Sequence, residues 1–228
     1  TPYAESGKKG ETVLSEPVFL SGLPDLSNLI LHLDASLISK EDTSSVDAVG
    51  SELLVNKWSD RSGQNNDAVQ AIAGSQPVLK EVQYQESAYV WGKSLVKNSV
   101  DTSLNIPSFN PGSMDNFVFI IVAKGNVINT SANIVEGNAA SNSWSFGWRS
   151  DGSLGFGTAP DSAVLMPNEG MDSKWHVFTG IASNGAFGIR MDKIQGTDGT
   201  YSGAINTNSL SINWKDVEIA ELVMYSND

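Results

Sequence analysis

Cysteine is absent from this chain of 228 residues, and histidine occurs only twice. The first absence excludes disulfide bonds, thiolate metal sites and cysteine nucleophiles. The two histidines, His32 and His176, lie far apart in the sequence without cysteine beside them, which makes a poor zinc site. We interpret both as structural histidines with hydrogen-bond partners. The sequence also lacks a G-x-S-x-G nucleophile elbow and a phosphate-binding loop.

Positive charge and long apolar runs are also scarce. Lys and Arg total 14 against 26 Asp and Glu, which gives a formal net charge of −12. This balance argues against nucleic acid as a partner, because binding requires basic residues that replace counterions. The run "FVFIIVA" at 117–123 is well below the length of a membrane span. No signal peptide and no membrane insertion are predicted.

Apolar residues are plentiful but divided into short runs. Hydrophobic residues make up 40% of the chain, with six Trp, eight Phe and five Tyr, so the chain is globular. From Leu29 onward the runs are separated by clusters of Gly, Asn, Asp and Ser, which is typical of an all-β sandwich. No window of 15 residues has a convincing 3.6-residue period, so we expect under about a tenth of the chain to be helical.

The first 27 residues differ from the rest and predict an extended N-terminal arm. Their prolines, Pro2, Pro17 and Pro24, break regular structure. The arm nevertheless carries more apolar residues than a disordered tail normally does. We expect residues 12–24 to dock on a neighbouring subunit, with folding back onto the same sandwich as the alternative. The apolar residues of this assembly arm are Val13, Leu14, Val18, Phe19, Leu20 and Leu23.

The stretch "SWSFGWRSDGSLGFGT" predicts a β-hairpin whose register can be chosen from its side chains. A two-residue turn would put its apolar residues on opposite faces of the sheet. A three-residue loop, 150–152, puts them all on one face, so the pattern favours that loop. The apolar residues are Trp144, Phe146, Trp148, Leu154 and Phe156, and the opposite face then carries Ser145, Gly147, Gly155 and Gly157.

Two further strands are predicted from apolar runs. "NFVFIIVA" is apolar on both faces, which indicates a central strand covered on both sides. In "DVEIAELVMY", strict alternation puts Glu218 and Glu221 on opposite faces of one strand.

The stretch "WSDRSGQNNDAVQ", residues 58–70, is rich in side-chain oxygens. Asp and Asn side chains accept hydrogen bonds from backbone N–H groups two residues on and so make turns, which favours a structural corner. The alternative is a calcium loop that uses Asp60, Asn65, Asn66 and Asp67. Calcium needs six to eight oxygen ligands, and this spacing fits no known loop. No cofactor is predicted, and calcium is the one alternative.

In order, the sequence contains "LILHLDAS" (29–36), "WSDRSGQNNDAVQ" (58–70), "QPVL" (76–79), "FVFIIVA" (117–123), "KWHVFTGI" (174–181) and "VEIAELVMYS" (217–226). Over residues 28 to about 226 this resembles the laminin-G-like members of the concanavalin A-like lectin/glucanase superfamily. The resemblance implies an all-β fold, a concanavalin A-like jelly-roll β-sandwich over residues 28–228. It also implies that the corner is structural, with motif residues Trp58, Asp60, Ser62, Gly63 and Asn66.

Glycoside hydrolysis is the enzymatic alternative that this superfamily offers. Its glucanases carry Glu-x-Asp-x-x-Glu on one strand, and hydrolysis needs two carboxylates across the scissile bond. The nearest match, "EIAE", lacks the central Asp and has its two glutamates predicted on opposite faces. We therefore expect the protein not to be an enzyme.

Sugar binding remains as a possible chemistry. Such sites stack a sugar on an aromatic ring and bind its hydroxyls with Asn, Asp and backbone amides. The candidates in loop-like positions are Trp91, Asn138, Tyr201 and Trp214.

Two functions are compatible with these features. The first is a non-enzymatic structural protein of a virion, such as a decoration, capsid-associated or tail component, which forms a homo-oligomer or joins a shell and contacts surface glycans. The alternative is a carbohydrate-binding module or adhesin domain of a secreted or cell-surface protein. The expected location is the virion in the first case, and the cell surface or extracellular space in the second.

Overall fold

Two antiparallel β-sheets account for the fold. The computed structural model describes residues 28–82, 92–98, 101–109, 111, 115–125, 132–139, 143–149, 153–158, 164–166, 172–201, 205, 207–214 and 216–226. Within these ranges, helical structure is limited to Asn28 and two 3₁₀ turns, Ala35–Leu37 and Ala73–Ser75. None of it could cross a membrane as a helix. The prediction of an all-β sandwich is confirmed, whereas the arm lies outside the described residues.

The large sheet contains eleven strands among the described residues. Along its main path they are β16 (Ile194–Gln195), β15 (Ala186–Met191), β14 (Trp175–Ser183), β9 (Phe117–Gly125), β19 (Val217–Ser226), β7 (Gly92–Val96), β6 (Val78–Val82), β3 (Glu52–Val55) and β2 (Val46–Val49). Two strands branch from this path: β1 (Leu29–Asp34) pairs with β19, and β17 (Gly199–Thr200) pairs with β15. Strand β9 lies at the centre between β14 and β19, as its apolar sequence predicts.

The small sheet contains eight strands in the described part of the chain. Their order is β13 (Val164–Met166), β12 (Leu154–Thr158), β11 (Trp144–Trp148), β10 (Ala132–Asn138), β18 (Ser209–Asn213), β8 (Ser103–Ile106), β5 (Ala68–Val69) and β4 (Lys57–Trp58). In several places consecutive strands belong to different sheets, so the chain crosses repeatedly from one sheet to the other. The two sheets enclose one shared core.

Aromatic side chains from the two sheets fill that core. The ring of Phe119 on β9 lies 4.9 Å, centroid to centroid, from both Phe146 and Phe156 of the small sheet, with edge-to-face geometry that aromatic pairs favour. Phe119 pairs across the large sheet with Gly180 on β14. A Cβ at Gly180 would overlap the Phe119 ring, so glycine is required for this close approach.

The hairpin of β11 and β12 has the predicted register. Trp148 pairs with Leu154 and Phe146 with Phe156, which leaves the three-residue connection 150–152. The apolar side chains of both strands are buried in the core. On the opposite face the side chain of Arg149 lies over Gly155, since a Cβ at Gly155 would be 2.7 Å from Nε of Arg149. The Arg149 side chain of the same hairpin therefore covers the surface that Gly155 leaves without a side chain.

Strand β19 departs from the predicted alternation. Ile219 pairs with Ala123 of β9, but Glu221 pairs with the preceding Val122, so Ala220 is an extra residue in a β-bulge. The bulge reverses the facing of every later residue in the strand. Val217, Ile219, Leu222 and Met224 face the core, and Glu218, Glu221, Val223 and Tyr225 face outward. The prediction that Glu218 and Glu221 lie on opposite faces is wrong for this reason.

Candidate functional site

The corner at residues 58–70 is organised around the carboxylate of Asp60. Its Oδ1 accepts hydrogen bonds from the backbone N–H groups of His32 and Ser62, both at 2.9 Å. Its Oδ2 accepts from Oγ of Ser62 at 2.7 Å and from the backbone N–H of Asn66 at 2.9 Å. Both carboxylate oxygens of Asp60 therefore serve as acceptors that join the loop to strand β1.

The neighbouring polar side chains of the corner have similar roles. Asn66 donates from Nδ2 to the carbonyl of Ile30 at 2.8 Å. Asp67 accepts at Oδ1 from the backbone N–H of Asp60, and its Oδ2 lies 3.4 Å from Nζ of Lys57. The loop turns through left-handed residues, with φ of +88° at Gly63 and +59° at Asn65. These contacts describe a hydrogen-bonded turn in which the carboxylates already have protein partners.

Trp58 and Trp214 are both fully buried. Their ring centroids lie 6.3 Å apart, and Nε1 of Trp214 donates to the carbonyl of Leu95 at 2.9 Å. Trp214 was predicted as a sugar-binding residue, and this assignment is wrong because its ring has no exposed face. The residues around Trp214 in the sequence, "SINWKD", are mostly polar, so they do not indicate that Trp214 lies in the core.

The remaining predicted sugar-binding residues are not brought together. Asn138 on β10 donates from Nδ2 to Oγ of Ser211 at 3.0 Å, within the small sheet. Tyr201 follows β17 at the edge of the large sheet, donates to the carbonyl of Asp115 at 2.7 Å and packs on Phe187. Burial raises the pKa of Tyr201. Trp91 lies outside the described residues.

A polar cleft of about 150 Å³ lies beside the corner, and we call it the corner cleft. Its charged lining residues are Asp34, Asp42, Lys57 and Arg61. Trp58 also lines it, and the Nε1 of this indole is buried without a hydrogen-bond partner in the described part of the protein.

Strands β1 and β19 bring three potential metal ligands together near this cleft. Nε2 of His32 lies 2.9 Å from Oε1 of Glu221. Asp34 pairs directly with Glu221 across the two strands. One ligand atom from each of these three residues lies within 4.8 Å of the other two. The sequence pattern does not reveal this group, because only the bulge at Ala220 puts Glu221 on the face that carries His32 and Asp34.

Glu218 lies on the same outward face of β19 and contacts two lysines. Its Oε1 is 3.1 Å from Nζ of Lys80 and 3.0 Å from Nζ of Lys124. The Lys124 ammonium also lies 5.4 Å from the centroid of the Trp175 ring, within the range of a cation–π contact. Glu218 is thus the acidic centre of a small ion-pair network.

His176 lies between two carboxylates at the end of the large sheet. Its Nδ1 is 2.7 Å from Oδ2 of Asp192, and its Nε2 is 2.9 Å from Oδ1 of Asp172. Burial opposes the charged form, but the hydrogen bonds to Asp192 and Asp172 and their negative charges outweigh it and raise the pKa of His176. Although burial also opposes its charge, hydrogen bonds from His176 and Lys174 lower the pKa of Asp172 to about 2.

A second cleft, of about 200 Å³, opens on the outward face of β14 and β15, and we call it the β15 cleft. Ile181, Ala186 and Gly188 give it an apolar floor, because Phe187 and Ile189 point the other way into the core. Its polar rim is formed by Ser183, Arg190, Gln195 and Asp198.

Three of the rim side chains are available to a ligand. Arg190, Gln195 and Asp198 make no side-chain hydrogen bond or ion pair with any described residue. The carboxylate of Asp198 lies over Gly188, since a Cβ at Gly188 would be 3.5 Å from Oδ1 of Asp198, in van der Waals contact. The sequence pattern does not reveal these residues, because nothing in "GIRMDKIQGTD" distinguishes them from an ordinary solvent-exposed edge.

Comparisons with known proteins show the fold. No family model and no curated protein matches the sequence. Trypanosoma rangeli sialidase in complex with sialic acid is similar in structure, with a TM-score of 0.59, 11% identity and coverage of 89% of this chain. This chain spans only 31% of that sialidase.

Two further solved structures are similar over most of this chain. Domain 4 of an extracellular GH43 arabinanase from Geobacillus stearothermophilus, in complex with arabinotriose, gives a TM-score of 0.55 at 15% identity, with coverage of 87% of this chain and 92% of that domain. Botulinum neurotoxin type C, whose cell entry depends on interaction with two ganglioside molecules, gives a TM-score of 0.53 at 14% identity. The match covers 89% of this chain and 49% of the toxin chain. The jelly-roll type of β-sandwich is therefore shown, while the laminin-G-like assignment stays a prediction.

Proposed function

We propose that the chain is a carbohydrate-binding β-sandwich domain that binds one sugar residue of a glycan in the β15 cleft. The observation that carries this proposal is the polar rim of Arg190, Gln195 and Asp198, whose side chains have no partner among the described residues, above an apolar floor. Sugars present hydroxyl groups at their edges and C–H groups on their faces. A site with polar groups around an apolar surface complements both.

The size of the cleft limits the ligand to a small unit. Its volume of about 200 Å³ is below the roughly 300–1,000 Å³ of pockets for drug-sized ligands. A single sugar ring can contact Ile181 and Ala186 while Asp198 accepts hydrogen bonds from hydroxyls and Arg190 donates them. The rest of the glycan remains in solvent.

The similar structures support a binding function over the virion role predicted from the sequence. The arabinanase domain is in complex with arabinotriose, and the sialidase is in complex with sialic acid. Neither the described residues nor the comparisons support a decoration, capsid or tail function. A glycan ligand favours the alternative setting, a secreted or cell-surface protein.

Binding without hydrolysis is part of the proposal. The bulge puts Glu218 and Glu221 on the same face, but each carboxylate already has a partner: the two lysines for Glu218 and His32 for Glu221. Neither glutamate lines the corner cleft or the β15 cleft. A glycan in the β15 cleft would thus have no catalytic carboxylate pair beside it.

A glycan array followed by titration of the best ligand tests the proposal. Arg190→Gln and Asp198→Asn should each weaken binding at least tenfold, because each removes a charged hydrogen-bonding group. The matched controls are Lys193→Gln and Asp101→Asn, two exposed charged residues outside the cleft, which should leave affinity unchanged. Absence of glycan binding, or equal affinity of the cleft variants and the controls, would refute the proposal.

A further inference from the structure

We propose that His32, Asp34 and Glu221 form a binding site for a divalent transition-metal ion, with Zn²⁺ as the probe ion. The site lies on β1 and β19, separated by strand β9 from β14 and β15, which carry the β15 cleft. It goes beyond glycan binding and does not depend on it.

The backbone places all three side chains at one point of the sheet. His32 and Asp34 are two residues apart on β1, so their side chains share a face. Glu221 is the cross-strand partner of Asp34 and reaches diagonally to His32, with Nε2 and Oε1 2.9 Å apart. Paired strands hold such a set rigidly, which is what a metal site requires.

The charges in this group are not balanced by basic side chains. Asp34 and Glu221 are directly opposite, and like charges in that arrangement destabilise a sheet. Within the described ranges, neither carboxylate forms an ion pair with Lys or Arg. Lys57 and Arg61 line the corner cleft with Asp34, but Lys57 pairs with Asp67, and Arg61 is beyond ion-pair distance of Asp34. A divalent cation would supply the missing positive charge.

A second observation that supports a cation near Glu221 comes from Tyr225. The side chain of Tyr225 lies on the same face of β19 as Glu221. Tyr225 is 3% exposed, and its hydroxyl is buried with no hydrogen-bond partner in the described structure. Burial, and next the negative charge of Glu221, raise the pKa of Tyr225. The Glu221 charge therefore acts on a buried phenol, and a cation at Glu221 would offset it.

The chemical types of the three donor atoms indicate which class of metal the site would bind. One imidazole nitrogen and two carboxylate oxygens suit zinc and its first-row neighbours, whereas calcium and magnesium take oxygen ligands alone. Zinc bonds of about 2.0–2.2 Å in a tetrahedron put donor atoms roughly 3.4 Å apart. The three donor atoms lie within 4.8 Å of one another, so the side chains have to move closer together to bind zinc. Oδ1 of Asp34 also accepts a hydrogen bond from the backbone N–H of Ser36 at 2.8 Å. Asp34 also lines the corner cleft, through which water can reach a fourth position.

The alternative is that the contact between His32 and Glu221 is a structural hydrogen bond that needs no ion. The protein has two histidines, which makes the two interpretations separable. Both ring nitrogens of His176 already contact carboxylates, so His176 serves as an internal control for His32.

The experiment uses the tag-free chain, freed of metal by chelator and titrated with ZnCl₂. Calorimetry should give one equivalent of zinc, and the imidazole ¹⁵N resonances of His32 should shift while those of His176 do not. Asp34→Asn and Glu221→Gln should each weaken zinc binding at least tenfold. Glu218→Gln, on the same strand and face but outside the group, is the matched control and should bind zinc as the unmodified chain does.

Asp34 is partly buried, and Asn at this position keeps a side-chain oxygen that can accept from the Ser36 N–H, so Asp34→Asn provides a variant that folds even if Glu221→Gln does not. The proposal is overturned if no zinc binds, if zinc shifts His176 instead of His32, or if Asp34→Asn binds zinc with unchanged affinity. Loss of glycan binding in a β15-cleft variant has no bearing on any of these outcomes.

Discussion

Nδ1 of His176 lies 2.7 Å from Oδ2 of Asp192, and this contact joins the start of β14 to the turn that follows β15. Asp192 also accepts a hydrogen bond from the backbone N–H of Val177 at 2.9 Å, and it holds a left-handed φ of +52°. Asp172 contacts the other ring nitrogen. A protonated His176 can donate to both carboxylates at once.

The stability of the protein should therefore fall as pH rises above about 6.5, the ordinary pKa of histidine. The pKa of His176 is raised in the folded state, so its stabilising contribution is complete below the ordinary value of 6.5 and is lost as pH rises through the raised pKa. Urea unfolding between about pH 5.5 and 9 measures this loss. His176→Gln should flatten the dependence, and an unchanged slope in that variant would contradict the assignment.

Gly180→Ala should destabilise the protein by about 1–3 kcal/mol, the range for overpacking a core. The added Cβ would overlap the ring of Phe119, which is itself held by the aromatic rings of the small sheet. Gly74→Ala is the matched control, because a Cβ at Gly74 meets nothing within 4 Å. Its free energy of unfolding should stay within about 0.5 kcal/mol of the parent. Equal stability of the two variants would show that Phe119 moves freely.

Asp60→Ala should cost about 1–3 kcal/mol, because it leaves buried donors of the corner without their acceptor. Both oxygens of Asp60 already accept hydrogen bonds from the protein. Added calcium should consequently leave the melting temperature unchanged. A rise of many degrees with calcium, reversed by a chelator, would instead identify the corner as a metal loop.

Trp58→Ala should cost about 3–5 kcal/mol as a deletion of a large core side chain. Trp58 is fully buried and packs against Trp214. Chemical denaturation of the variant measures the loss. A cost below about 1 kcal/mol would mean that the corner collapses around the cavity.

The purified chain should release no new reducing ends from polysaccharides. The two glutamates nearest to a glucanase motif already contact Lys80, Lys124 and His32, away from both clefts. A reducing-sugar assay checks this. Activity that Glu218→Gln or Glu221→Gln abolishes would establish a hydrolase and remove the basis for a purely binding domain.

The alternation of apolar residues was sufficient to predict much of the sandwich. It predicted the register of β11 and β12, since only the pairing of Trp148 with Leu154 buries the aromatic rings together. A run that is apolar on both faces, rather than alternation, predicted that β9 is central. These successes share a cause: each strand is regular, so a period of two relates its sequence directly to its two faces.

The candidate sites were not predictable in the same way. A bulge such as that at Ala220 is a backbone irregularity without a side-chain signature, so the facing of Glu221 could not be read from "EIAELV". His176 depends on two aspartates from separate turns, and the β15 cleft depends on three strands and a loop. Such sites arise from tertiary proximity, which the sequence of one chain does not record.

The bulge in β19 also determines which kinds of genetic change the strand can tolerate. Deleting Ala220, the extra residue of the bulge, would restore strict alternation while Ile219 stays opposite Ala123 and Glu221 opposite Val122, so Leu222 and Met224 would remain in the core. Deleting Leu222 instead would shift every later residue to the opposite face, so Val223 and Tyr225 would enter the core and Met224 would leave it. Substitutions at Ala220, which faces outward, keep the residue count and leave the core in place. A change of length is therefore compatible with the core at the bulge, but not at the paired positions that follow it.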